Sequence, residues 1–134
     1  MTDEKQHVGQ TRDAGFQIGV RRILPIEHKA AWRLLTSREG VRMWLGEIEG
    51  ELAKGVAYRL SDDTIGHVSV FVRLSHLRIT RQPQASARAS TIQLRVIPNG
   101  DCTTVAFHEE QLPRPDERAQ RRIYYRAVLD QLEH

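Results

Sequence analysis

Apolar and polar positions change rhythm twice along the 134 residues. The first alternation sets Phe16, Ile18 and Val20 on one parity and closes on Ile23 and Leu24 before Pro25, which predicts a first strand ended by the proline. Between Glu27 and Thr36 the period lengthens: Ala31, Trp32 and Leu35 fall at helical spacing with no Gly or Pro among them, so a short helix should turn Trp32 inward. Ser37 is placed to cap a second helix over REGVRMWL, because its hydroxyl can accept from a free first-turn amide. Val41, Trp44 and Leu45 share one face of that helix, and Gly40 is expected to weaken it.

After Gly46 the period shortens to two. Val56, Tyr58 and Leu60 alternate with small or charged residues, Asp62-Asp63 reads as a turn, and Ile65 to Arg73 continues as a Val-rich strand. His76 to Arg81 opposes Leu77 and Ile79 to Arg78 and Thr80, and Ser90 to Ile97 sets Ile92, Leu94 and Val96 against Gln93 and Arg95. Pro98-Asn99-Gly100-Asp101 is a hairpin signal, since Asn and Gly tolerate positive φ. The return strand, Cys102 to His108, presents Thr103, Val105 and Phe107 on one parity. Such alternation buries one sheet face and wets the other, in consecutive antiparallel strands. Pro113 and Pro115 end the last strand, and Asp116 to Leu132 is a long helix whose stripe of Tyr125, Val128, Leu129 and Leu132 is the natural cover for the sheet. The predicted fold is α+β: a curved antiparallel sheet gripping a distant C-terminal helix.

Length and composition narrow the function classes. One domain, residues 16–132, has room for one core. Residues 1–15 read as a polar, flexible leader, and 132–134 as a purification-tag remnant. No apolar run is long enough to span a bilayer and no signal sequence opens the chain, so a cytoplasmic location without membrane insertion is expected; the lone Cys102, which cannot form an internal disulfide, agrees. The net charge of +3 comes from twenty Lys and Arg spread along the chain against seventeen acids, and aromatic residues make up only 6%, which argues against nucleic acid.

Catalytic chemistry finds little support. His67, His76 and His108 sit on strands without HxH, HExxH or Cys-His spacing, so no metal or other cofactor is expected and each reads as exposed or hydrogen-bonded. Cys102 lacks an identifiable base. Glu109-Glu110 point to opposite faces if the strand persists, Asp62-Asp63 lie in a turn, and both pairs read as solvated. No phosphate-binding Gly loop or Ser nucleophile elbow occurs, and no catalytic residue is assigned.

The order and spacing of several elements resemble the START-like, Bet v 1-like (SRPBCC) superfamily, and within it the branch named after the activator of the Hsp90 ATPase. The resemblance covers about Ile18 to Leu132. It rests on the strand ending near Pro25, Ala31-Trp32 before Leu35, Trp44-Leu45, Gly55 before Tyr58, Gly66 before Val68 and the HLRIT strand. Thr103-Thr104-Val105, Phe107-His108, Leu112-Pro113 and Val128-Leu129 with Leu132 complete it. Two positions depart, with Arg81 and Tyr125 standing where relatives often carry Trp. The resemblance implies a helix-grip fold, with seven antiparallel strands around the C-terminal helix and two short helices after the first strand. It also implies that hydrophobic small molecules are held between sheet and helix, or that the domain is a cyclase or dehydratase.

The strand parities and helix stripe nominate the lining of such a cavity. Tyr58, Leu60, Val68, Val70, Leu77, Ile79, Ile92, Leu94, Val105 and Phe107 come from strands, with Trp44, Tyr125 and Leu129 from helices. The same residues equally describe a filled core. Arg118, Arg121 and Arg122 continue the buried face of the last helix with guanidinium groups, which at a cavity mouth could bind a carboxylate or phosphate and otherwise pair with Glu109, Glu110 or Asp116. The leading expectation is a non-enzymatic binder of a small hydrophobic or amphipathic molecule such as a lipid. The alternatives are a polyketide cyclase/dehydratase-like enzyme using Tyr58, a strand His or Arg121, and a chaperone-related protein-interaction module with an unidentified protein partner. That last reading expects an exposed apolar patch on the sheet's outer face or around Trp44.

Overall fold

A computed structural model describes residues 10–11, 15–84, 86 and 88–133. In chain order these form β1 (Gln10–Thr11), β2 (Gly15–Leu24), α1 (His28–Thr36), α2 (Arg38–Trp44), β3 (Ala57–Arg59), β4 (Ile65–Val72), β5 (His76–Arg81), β6 (Ser90–Asn99), β7 (Cys102–Leu112) and α3 (Pro115–Glu133). The strands make one antiparallel sheet in the order β1-β2-β7-β6-β5-β4-β3. Six strands of three residues or more form its body, and the seventh, β1, contributes only two residues beside Gly15 and Phe16. Of the leader expected over 1–15, residues 1–9 and 12–14 lie outside the described residues, as does His134.

The chain closes the grip in two steps. After β2, α1 packs on β6 and β7 with α2 against it, and at the end α3 returns over β2 and β7 and meets α2. Leu132, placed with the tag remnant in the sequence reading, is buried on α3 beside Val128 and Leu129.

Local chemistry explains most boundaries. Glu27 caps α1 by accepting from the amides of Lys29 and Ala30, and Ser37 both ends α1 and caps α2, its Oγ accepting from Gly40 N at 3.0 Å. Gly40, expected to weaken α2, is instead demanded by this tight junction: a Cβ there would stand 1.8 Å from the Leu34 carbonyl oxygen. Pro115 opens α3, where its missing amide is no loss. The Asp62-Asp63 turn forms as expected, with Asp62 Oδ1 accepting from Thr64 N and Asp63 at positive φ.

Two departures from simple alternation matter for the interior. A bulge between Val68 and Val70 shifts the β4 register, so Val68 faces inward opposite Ile79 and Phe71 opposite Leu77, while Val70 pairs with outward Arg78. Val70 is therefore not an inward residue, contrary to the parity count; Phe71 takes that side and meets the Trp32 ring edge-on at 5.7 Å. The second departure is the length of β7, which runs four residues beyond His108 to Leu112.

Candidate functional site

The extension of β7 carries its inward parity one step past the apolar series. Thr103, Val105 and Phe107 are buried, and so is Glu109, whose carboxylate has no exposed surface. Both of its oxygens are saturated. Oε1 accepts from Arg121 Nε at 2.8 Å and Tyr125 Oη at 2.7 Å. Oε2 accepts from Arg81 Nη1 at 3.3 Å and from the Ser90 hydroxyl. Arg121 Nη2 also donates to Tyr125 Oη at 3.1 Å, and its guanidinium lies 4.5 Å from the centre of the Tyr124 ring. Strands β5, β6 and β7 and helix α3 thus converge on one carboxylate.

Charge explains why the group stays ionised. Burial pushes the Glu109 carboxyl upward, but the guanidiniums of Arg121 and Arg81 and the hydroxyls of Ser90 and Tyr125 outweigh it and hold the group below the usual carboxylate range. Burial likewise raises Tyr125, Tyr58 and Tyr124, so these phenols remain protonated donors. Two guanidiniums face one carboxylate, which leaves the cluster with one surplus positive charge.

Beside this polar end lies an aromatic body. Phe107 stacks on Tyr125 with ring centres 4.8 Å apart and planes 15° from parallel, and Trp44 tilts against Phe107 at 5.9 Å. All three are buried and occupy the space between sheet and α3. Trp44 Nε1 donates to Leu35 O at 2.9 Å, and Tyr124 Oη to Met43 O at 2.7 Å, fastening α2 to α1 and α3. Leu60, Val68, Leu77, Ile79, Ile92, Leu94, Val105 and Leu129 complete the same buried cluster.

The three arginines nominated on α3 do not act together. Arg121 takes the ion pair with Glu109. Arg118 is half-buried, and its Nε has no hydrogen-bond partner among the described residues; neither has the buried Oε1 of Glu117. Arg122 is half-buried without an ion pair among the described residues. Arg81 and Ser90 are absent from the lining that the sequence suggests; Glu109 stands there as a solvated residue and as an alternative ion-pair partner of the α3 arginines, and the second reading holds for Arg121. The signal for Glu109 lay in the parity of Thr103, Val105 and Phe107, which reaches it if β7 is allowed to continue.

Tyr58 is buried where β3 crosses Gly66. Its hydroxyl donates to Thr80 O, and a Cβ at Gly66 would fall 2.6 Å from the tyrosine ring. Of the histidines, His67 comes nearest to Tyr58: its Nδ1 meets Thr80 Oγ1, on the residue whose carbonyl accepts from Tyr58, and both side chains line one surface groove. His76 Nδ1 meets Ser75 Oγ, His108 Nε2 meets Gln17 Oε1 and Arg121 meets Glu109, each away from that point. Among the described residues no His, Cys, Asp and Glu side chains group to hold a metal, and no helix is long and apolar enough to cross a membrane. Trp44 offers no exposed patch.

No protein-family model and no curated protein matches the chain. Solved structures do. CalU16 from Micromonospora echinospora matches with a TM-score of 0.76 at 19% identity, over 87% of this chain and 71% of its own. DynU16, a protein of the dynemicin biosynthetic locus, matches with a TM-score of 0.76 at 16% identity over 87% of this chain, which spans 45% of DynU16. An HSP90 activator from Plasmodium falciparum matches with a TM-score of 0.61 at 13% identity, over 72% of this chain and 74% of its own. Identities this low establish architecture alone: the chain shares the α+β helix-grip fold of these structures.

Proposed function

We propose that the chain binds a small amphipathic molecule between the sheet and α3 without converting it chemically. The observation that carries this reading is the division of the interior into an aromatic body and a buried polar end built on Glu109, Arg81 and Arg121. A ligand with an apolar body and one polar head group fits both ends at once. Arg81 and Arg121, whose side chains are 20% and 14% exposed, are the cluster's members nearest solvent and supply unused guanidinium donors to the head group. The body of the ligand takes the place that Trp44 fills, against Phe107 and Tyr125, and α2, a seven-residue helix, is the element that yields. Glu109, saturated by four donors, organises the arginines and has no proton to transfer. The occurrence of DynU16 in a biosynthetic locus supports a small-molecule ligand.

Thermal denaturation with decanoate, decanol and 2-naphthol, alongside native mass spectrometry of the purified chain, tests the reading. A binding probe raises Tm by several degrees, since selective affinity for the folded state adds to its stability. Trp44→Ala, which opens space beside Phe107 and Tyr125, should increase the shift. If no probe moves Tm in either protein and no co-purified molecule is detected, the reading is wrong.

A further inference from the structure

The outer face of the sheet, which takes no part in the site above, carries a second pattern. Cross-strand register aligns Arg21, Ala106 and Arg95 across β2, β7 and β6. Two residues along, Ile23, Thr104 and Ile97 form a parallel row. Ile23 is 57% exposed, and Arg21 and Arg95 are exposed too. A groove of about 460 Å³ runs along the isoleucine row and is lined by Arg21, Arg22, Ile23, Ile97 and Thr104. Arg21 makes no ion pair among the described residues, and Arg95 reaches only the Gln93 side chain. Farther along the same face Glu110 is already matched by Arg78 at 3.5 Å. The apolar row therefore adjoins the end of the face whose positive charge is uncompensated.

We propose that this face docks an acidic amphipathic helix of a protein partner, lying across the strands. Arg21 and Arg95 stand two strand spacings apart, roughly 10 Å. Carboxylates seven residues apart on one helix are separated by about 10.5 Å and meet both guanidiniums. An extended peptide repeats its side chains on one face at about 7 Å and about 13 Å, and matches neither arginine pair nor isoleucine pair. Apolar residues one position on from each carboxylate, about 1.5 Å farther along the helix and about 100° round it, then fall on Ile23 and Ile97, about 7 Å along the strands from the arginine row. Charge fixes the orientation of the helix, and burial of the two isoleucines contributes most of the affinity.

The test uses a fluorescein-labelled helical peptide with Glu residues seven apart and Leu on the adjoining stripe, a counterpart with Lys for Glu, and vesicles containing phosphatidylserine. Anisotropy titration should show binding of the Glu peptide at micromolar concentration, with amide shifts confined to β2, β6 and β7. Arg21→Glu combined with Arg95→Glu should weaken binding roughly tenfold or more, as should Ile23→Asp, while Arg42→Glu on α2 should leave it unchanged. The proposal is overturned if the Glu peptide does not bind, if the Lys peptide binds equally well, if the amide shifts fall elsewhere, or if only the vesicles bind.

Discussion

Phe107 and Glu109 are two residues apart on β7, point the same way and are both buried, yet they are held by opposite physics. Phe107 is kept by shape and by its removal from water, packed against the Tyr125 and Trp44 rings with no directed bond of its own side chain. Glu109 is kept by four directed hydrogen bonds and two cations, and loses its stability if one partner is withdrawn. The strand supplies only the direction. Whether an inward position becomes core or polar hub depends on what other elements bring to meet it.

The comparison breaks most visibly at Arg121. Arg121→Met should cost about 3–5 kcal/mol at neutral pH in urea denaturation, because it strands a buried carboxylate beside one remaining, longer contact to Arg81. Phe107→Ala should cost a similar ~3–5 kcal/mol through the cavity it leaves. The two separate on acidification: the Arg121→Met deficit shrinks as Glu109 becomes neutral, and the Phe107→Ala deficit persists. Equal pH dependence in both variants would mean that Glu109 is not held by charge.

The pH dependence of the parent protein follows from the same carboxylate. Its folded-state pKa is depressed below the unfolded value of about 4.3, so its contribution is complete above that value and is lost as pH falls through the folded pKa. Glu109→Gln should be less stable than the parent at pH 7 and converge with it in strong acid. A constant difference between the two curves would count against the assignment.

Smaller effects sharpen the picture. Tyr125→Phe keeps the stack on Phe107 but removes one donor to Glu109, and should cost about 1–2 kcal/mol by thermal or chemical denaturation. At the rim, Arg22 pairs with Asp130 and Glu133 on α3 in partly exposed surroundings. Arg22→Gln should therefore cost about 1 kcal/mol or less, and less still in high salt.

Much of the architecture is legible along the chain because it rests on local rules. The parity of Ile92, Leu94 and Val96, the cap at Ser37, the turn at Asp62-Asp63 and the stripe of Tyr125, Val128, Leu129 and Leu132 all follow from periods and side-chain chemistry within a few residues. Val70 marks where this logic stops. A bulge adds one residue to β4 and reverses every later position, and what fixes it is the pairing with β5.

The polar end shows the same boundary more sharply. Sequence by itself determined that position 109 could face inward, and that Arg121 and Tyr125 lie one helical turn apart on the covering helix. Only the tertiary structure decided that they meet. The partners of Glu109 lie 12, 16, 19 and 28 residues from it, on three other elements, and the cost of burying its charge is met only when all of them arrive. Periodicity records which way a side chain points; convergence depends on how the sheet curves and where α3 is laid across it.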